Sequence, residues 1–139
     1  RQTMEAAWQD GVFSAATVVS DPEVLLYRWQ GPRAARVELE HAKRDWGFMV
    51  DKRHRYLGIC TRDLVDRLIR ENVKRIDDDE LIRPEPVDAD VLIEDLFGLV
   101  SAESYPLPVT DDDGKLLGVV RPRAILEALH TPEEEESDV

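Results

Sequence analysis

The sequence predicts an α+β fold of two similar units, each ordered strand, helix, strand, strand, helix, packed about a pseudo-twofold axis. Three observations carry that expectation. First, 139 residues with 42% hydrophobic side chains suffice for one compact domain or two very small ones. Second, the chain matches itself without gaps when displaced by 60 residues. Phe48-Met49-Val50-Asp51 falls on Pro108-Val109-Thr110-Asp111, and Tyr56-Leu57-Gly58-Ile59-Cys60 on Leu116-Leu117-Gly118-Val119-Val120, while Leu39 and Ala42 fall on Leu99 and Ala102. Third, apolar spacing within each copy switches from the helical period to short runs joined by polar turns. Two copies do not make an open solenoid; they predict two units packed against each other.

The elements follow in order. Residues 2–9 have a weak helical pattern, Ser14 to Val19 reads as extended, and Val24 to Trp29 reads as the strand entering the first unit. Pro32 marks a helix start, where its missing N–H costs nothing. Ala35, Leu39, Ala42 and Trp46 recur at helical spacing and predict one buried stripe, with Gly47 breaking the helix. Residues 47–51 and 56–60 are apolar runs joined by Lys52-Arg53-His54-Arg55, a hairpin with a polar tip. Thr61 is a good N-cap for a helix to about residue 74 that turns Leu64, Leu68 and Ile69 inward. Asp77-Asp78-Asp79-Glu80 is a polar linker, and Leu81 to Val87 is extended.

In the second unit Asp90 caps a helix carrying Leu92, Leu96, Leu99 and Val100. Residues 106–110 and 115–120 form the hairpin, with Asp113-Gly114 as its turn. Arg121-Pro122 opens a last helix with Ile125, Leu126 and Leu129 apolar. Thr131 to Val139 holds four Glu and one Asp without apolar periodicity and is expected to be mobile. The expected boundaries are an extension over 1–12, unit one over 13–75, an acidic linker over 76–80, unit two over 81–130 and a tail over 131–139.

Composition excludes several functions. A formal net charge of −12 weighs against nucleic-acid binding, because phosphate affinity comes mostly from Lys and Arg. The longest apolar run is the four residues Val24 to Tyr27, far short of the ~20 that span a bilayer. Cys60 is the sole cysteine, so no internal disulfide forms and a reducing, cytoplasmic setting fits. The chain opens at Arg1 without a basic-then-apolar leader and reads as a piece of a longer protein. No metal site is expected: His41, His54 and His130 lack ligand spacing, and a Ca²⁺ loop opening at Asp111 would need a glutamate where Pro122 stands. There is no phosphate-binding Gly-rich loop ending in Lys-Ser/Thr and no supported nucleophile–base pair, so no catalytic residue is assigned. Trp8, Trp29 and Trp46 are too scattered for a base-stacking platform and read as core or interface anchors.

Charge is unevenly spread. Residues 28–75 hold 13 Lys+Arg against 7 Asp+Glu, a net of +6, whereas residues 76–139 hold 4 against 19, a net of −15. Lys52, Arg53 and Arg55 at the hairpin tip, with Arg67, Arg70 and Lys74 along the following helix, are candidates for contact with an anionic surface. Arg62 and Arg75 extend the same face. One reading sets this face on anionic lipid; the other sets it against the acidic second unit or a partner copy.

The element order, with Leu107-Pro108-Val109-Thr110-Asp111 leading through a turn to Leu116-Leu117-Gly118-Val119-Val120, resembles a CBS domain, and two in tandem resemble a CBS pair, or Bateman module. Gly31-Pro32-Arg33-Ala34-Ala35, Asp45-Trp46-Gly47-Phe48-Met49-Val50, and Tyr56-Leu57-Gly58 followed by Thr61-Arg62-Asp63-Leu64 are similar to the C-terminal CBS pair of ATP-binding subunits of glycine betaine/proline ABC importers. The resemblance covers residues ~20–130.

It implies a non-catalytic regulatory module that binds ATP, AMP or cyclic di-AMP, or senses ionic strength, and requires no cofactor. Its partners would be an upstream ABC ATPase domain, the permease and a second copy, at the cytoplasmic face of the membrane. A stand-alone adenosine-nucleotide energy sensor and a structural dimerisation module are the alternatives. The family's nucleotide signature, Gly-x-x-Thr/Ser-x-x-Asp, maps onto Gly58-Ile59-Cys60-Thr61-Arg62-Asp63 with the carboxylate one residue early. Thr61, Asp63 and Phe48 are the candidate contacts in unit one. Arg121 and Arg123 stand at the matching place in unit two, without hydroxyl or carboxylate. An ordinary N-cap at Thr61, with Asp63 favoured by the helix dipole, explains the same residues.

Overall fold

The computed structural model describes residues 14–101 and 105–128. Unit one contains β1 (Leu25–Tyr27), α1 (Gly31–Ala42), β2 (Trp46–Val50), β3 (Tyr56–Thr61) and α2 (Arg62–Arg70). Unit two contains β4 (Val87–Asp88), α3 (Ile93–Ser101), β5 (Leu107–Thr110), β6 (Leu116–Val120) and a helical segment over 122–128, α4. Each unit forms one three-stranded sheet, β1-β2-β3 or β4-β5-β6. The first pair in each is parallel and the second antiparallel. A parallel pair needs a crossover, which α1 and α3 supply.

The repeat persists in detail. Both hairpins shift register at matching places, between Met49 and Val50 and between Val109 and Thr110. Asp51 Oδ1 accepts the amides of Arg53 and Arg55, and Asp111 Oδ1 those of Asp113 and Lys115, all at 2.9 Å. The two turns meet on the dyad. The Tyr56 amide donates to the Gly114 carbonyl and the Leu116 amide to the His54 carbonyl, each at 2.9 Å. One bond is the other with the units exchanged.

Each unit also receives backbone from the segment preceding the other. Ser20 pairs with Val119 of β6 through two bonds of 2.9 Å, and Ile82 pairs with Ile59 of β3 through bonds of 2.6 and 3.0 Å. A glycine lies under each crossing. A Cβ on Gly58, whose φ is +149°, would sit 2.9 Å from the Ile82 carbonyl oxygen; one on Gly118 would sit 2.7 Å from that of Ser20.

Burial falls into three clusters. Leu26, Leu39, Met49, Leu64, Val65 and Leu68 fill unit one, where α1 packs on α2. Ala15, Ile93, Leu96, Val109, Val120 and Ile125 fill unit two. Phe48, Val50, Tyr56, Ile59, Leu116 and Val119 fill the space between the sheets.

Several local expectations are corrected. Trp46 opens β2 instead of ending the α1 stripe, and Ala42 is exposed. The helix stops because Lys43 adopts left-handed angles (φ 56°, ψ 45°), not because of Gly47. Gly47 lies in the strand, where a Cβ would meet Val24 Cγ1 at 2.7 Å. α2 ends at Arg70, not near residue 74, and Asn72 then turns the chain at φ 57°. Ser14 to Val19 is not extended: Ala15–Thr17 is a 3₁₀ turn flanked by single bridges at Ser14 and Ser20. The strands before the units are shorter than expected, because Arg28–Gln30 coils after β1 and β4 has two residues. Asp90 is not the cap of α3; its amide donates to Asp88 Oδ1 and the helix begins at Ile93. Leu99 and Leu126 face outward, at 48% and 42% exposure. The expectations for residues 2–9, for Leu129 and for the 131–139 tail lie outside the described residues, as does the side chain of Val100.

Candidate functional site

β2 and β3 run between a hairpin end and a helix-start end. The five steps of β3 from Tyr56 to Thr61 separate them by about 17 Å. The sequence candidates divide between these ends.

At the helix starts, Thr61 Oγ1 accepts the Leu64 amide at 3.2 Å, so its hydroxyl caps α2. Asp63 is exposed in the first turn. Phe48 is 1% exposed, with the Trp46 ring edge-on at 5.7 Å and the Tyr56 ring at 6.2 Å, so it is core and not a cleft wall. Trp46 in turn meets Tyr105 of unit two edge-on at 5.0 Å. Arg121 reaches the crossing segment, donating to Ser20 Oγ and, at 3.4 Å, to the Asp21 carbonyl, with Glu23 at 3.8 Å. Arg123 is 89% exposed beside Glu127 at 3.8 Å. Thr61 and Arg121 therefore occupy dyad-related positions, one per unit, each with a structural partner. Thr61→Ala is expected to cost about 1 kcal/mol through the lost cap. Thermal melts of the two proteins check this.

At the hairpin end lies a cleft of about 320 Å³, lined by Arg28, Asp51, Arg55 and Tyr56 from unit one, by Asp78 from the linker and by Arg83, Thr110 and Gly114 from unit two. The Tyr56 hydroxyl donates to the Pro84 carbonyl at 2.7 Å, and the Arg83 guanidinium lies over its ring, 5.3 Å from the centroid. Asp51 is 7% exposed. Burial pushes its carboxyl pKa up, but the Arg55 and Arg53 amides and the Arg55 guanidinium, with Nε at 2.8 Å from Oδ2, outweigh that and hold it below the ordinary 3.8. A lowered folded pKa gives stability that is complete above the unfolded value of about 3.9 and is lost as pH falls through the folded value. Asp51→Asn is accordingly expected to be less stable than the parent at neutral pH, with the gap closing below about pH 4 in melts run across acid pH.

Among the described residues the basic face has found its acids in the linker and within unit one, not in unit two. Arg28 pairs with Asp78 at 2.5 Å, Arg67 with Glu80 and with Glu71 at 3.2 Å, and Arg75 with Asp77 at 3.9 Å. Arg70, Lys74, Lys52 and Arg53 have no ion pair among the described residues. Exposed pairs of this kind contribute ~0–1 kcal/mol each.

Cys60 is buried and its thiol is pushed up to about 12 by loss of solvent. It is expected to resist a thiol reagent at pH ~8 in the native chain and to react on denaturation, because the thiolate is the nucleophile. Among the described residues no group of three or more His, Cys, Asp or Glu is placed to hold a metal, and no helix is long and apolar enough to cross a membrane. Sequence reading did not single out Arg28, Tyr56 and Arg83. Arg83 carried a signal, as one of four basic residues in the acidic second half.

Two βαββα units exchanging backbone about a dyad match the fold of solved CBS-pair structures. Residues 65–131 match the family model described as CBS domain. The chain is 29% identical over 119 residues to the glycine betaine/carnitine transport ATP-binding protein GbuA of Listeria monocytogenes, covering 85% of this chain and 30% of that protein. It is thus homologous to the CBS region of glycine betaine ABC transporter ATP-binding subunits, and spans under a third of their length. Among solved structures, Staphylococcus aureus OpuCA superposes with a TM-score of 0.67 at 19% identity, over 83% of this chain and 97% of that one. CbpB in complex with c-di-AMP superposes with a TM-score of 0.71 at 14% identity, over 97% of each chain.

Proposed function

We propose that the chain is the regulatory CBS pair of the ATP-binding subunit of a glycine betaine/proline-type ABC importer, at the cytoplasmic face of the membrane beside an ATPase domain and the permease. The observation that carries this reading is the homology to GbuA, over 85% of the chain, joined to the dyad-related packing of the two units. The chain performs no chemistry of its own; hydrolysis belongs to the ATPase domain. It biases that domain, because a condition favouring one packing of the units shifts the equilibrium by its differential affinity for the two packings.

Two inputs suit the surface. One is an adenine nucleotide (ATP, AMP or cyclic di-AMP), as the CbpB complex illustrates for a protein of the same fold. The other is ionic strength, read by the basic face of unit one against anionic lipid. That contact is worth about 1 kcal/mol per basic residue near the surface and is screened over ~8 Å at physiological salt. Calorimetric titration with the three nucleotides, and co-sedimentation with phosphatidylserine vesicles at low and high salt, test the reading. Binding of a nucleotide, or vesicle binding that weakens as salt rises, supports it; silence in both overturns it.

A structural dimerisation module is the second reading, favoured by Phe97, Leu99 and Leu126, which leave 49%, 48% and 42% of their surface exposed on the helices of unit two. Sedimentation equilibrium of the chain and of a Phe97→Ser variant tests it: a dimer that the substitution dissociates supports it, and a monomeric parent ends it.

A further inference from the structure

We propose that a nucleotide seats at the hairpin end of the pair and not at the helix starts, its base against Trp29 and its phosphoryl oxygens on the cations that surround it. The proposal deepens the sensory reading above and rests on it. The cleft of about 320 Å³ and a second recess of about 220 Å³ share Arg28, Asp51 and Arg55 among their lining residues, so they adjoin. The cleft alone falls in the ~300–1,000 Å³ range of small-molecule sites. Trp29, Lys52 and Arg53 line the second recess, and Arg83 lines the first.

Five cations thus face two carboxylates on a chain whose net charge is −12. Both carboxylates are already engaged, Asp51 by Arg55 and Asp78 by Arg28. Lys52 and Arg53 have no ion pair among the described residues, and Arg83 reaches Glu85, itself 90% exposed, at 3.6 Å. Guanidinium groups match phosphoryl oxygens with paired donors. Trp29 is 47% exposed and is held from behind by the Tyr27 ring at 4.8 Å. An indole left open beside cations suits a flat base joined to phosphate.

The second unit serves as an internal control. Its turn has the same aspartate-to-amide bonds, yet Asp112 and Asp113 stand where unit one has Lys52 and Arg53. By strand register, Ala89 and Asp90 follow β4 where Arg28 and Trp29 follow β1. Only Arg55 has a cationic counterpart there, Lys115, so the fold asks for neither Arg28, Lys52 and Arg53 nor the indole. They are particular to one of two equivalent places.

Calorimetric titration of the chain with ATP and with tripolyphosphate tests the assignment. ATP should bind more tightly than tripolyphosphate, and Trp29→Leu should weaken ATP about tenfold and erase that preference. The double variant Lys52→Gln/Arg53→Gln should weaken both probes severalfold. Asp63→Asn/Arg123→Gln, at the helix starts, should change neither. Circular dichroism confirms that each variant is folded. If the helix-start variant weakens ATP while the hairpin variants do not, the site assignment falls and the sensory reading stands. Equal affinity for the two probes removes the nucleotide. Binding to phosphatidylserine vesicles without binding to ATP makes the basic tip a membrane contact and overturns the proposal. Silence toward both probes and toward vesicles overturns the site and the sensory reading together.

Discussion

Phe48→Ala is expected to lower the stability of the chain by about 3–5 kcal/mol, the usual cost of emptying a buried phenylalanine site. The side chain is 1% exposed and lies in the cluster shared by both sheets, among Val50, Tyr56, Ile59, Leu116 and Val119. A cavity there has walls from both units, so neither can collapse into it alone. Against a typical stability of 5–15 kcal/mol, a loss of that size leaves a marginal protein. Urea unfolding followed by circular dichroism and by tryptophan fluorescence measures the shift in midpoint. An unchanged midpoint would remove Phe48 from the core. Phe48→Leu, which keeps most of the volume, should cost under ~1.5 kcal/mol. The pair of variants also separates roles: a ligand effect seen with alanine but absent with leucine reports folding, not contact.

Alanine at Gly58 or Gly118 is expected to cost about 2–3 kcal/mol, because the new methyl meets backbone and not a yielding side chain. At Gly118 the obstacle is the Ser20 carbonyl oxygen at 2.7 Å; relief requires breaking the paired bonds between Ser20 and Val119. At Gly58 a similar clash at 2.9 Å is joined by a φ of +149° that side chains disfavour. Amide hydrogen exchange localises the damage. Gly58→Ala should accelerate exchange at Ile59 and Ile82, and Gly118→Ala at Ser20 and Val119, each leaving the other crossing protected. Gly98, in α3, is the control, because among the described residues a methyl added there would meet no heavy atom within 4 Å beyond its own helix backbone. Gly98→Ala should be neutral or stabilising by up to ~1 kcal/mol. Loss of stability at Gly98 equal to that at Gly118 would refute the crossing as its cause.

What the sequence revealed depended on whether the deciding interaction was local. Both hairpins, the Thr61 cap and the inward faces of Leu64, Leu68 and Ile125 follow from periodicity and turn chemistry within a few residues. Trp46 and Gly47 misled because four-residue spacing after Leu39 and Ala42 continues the helical pattern past its end. The stop is set by Lys43 in a left-handed conformation, for which lysine carries no signal. Asp90 looked like a cap, but the helix begins three residues later, at Ile93. The exchanged backbone was illegible in a different way: each crossing rests on one bridged pair, too short for any strand pattern. The candidate contacts at the helix starts were read from the family signature. The hairpin-end cleft was missed because Arg28, Tyr56 and Arg83 come together only through tertiary packing.

The crossing at Ser20 also orders the chain's assembly in time. During synthesis the first half emerges with its own sheet and helices, but Ser14 to Ala16 have no partner until residues 89–92 are made, and Ser20 none until β6 follows. The first half meanwhile presents the apolar face that carries Phe48, Val50 and Ile59 without its cover. Pairings between distant residues close slowly, since the loop entropy is lost before any contact compensates it. Final docking on the dyad should therefore be the slow step on the path to the native state, and the half-made protein the species most in need of protection from aggregation.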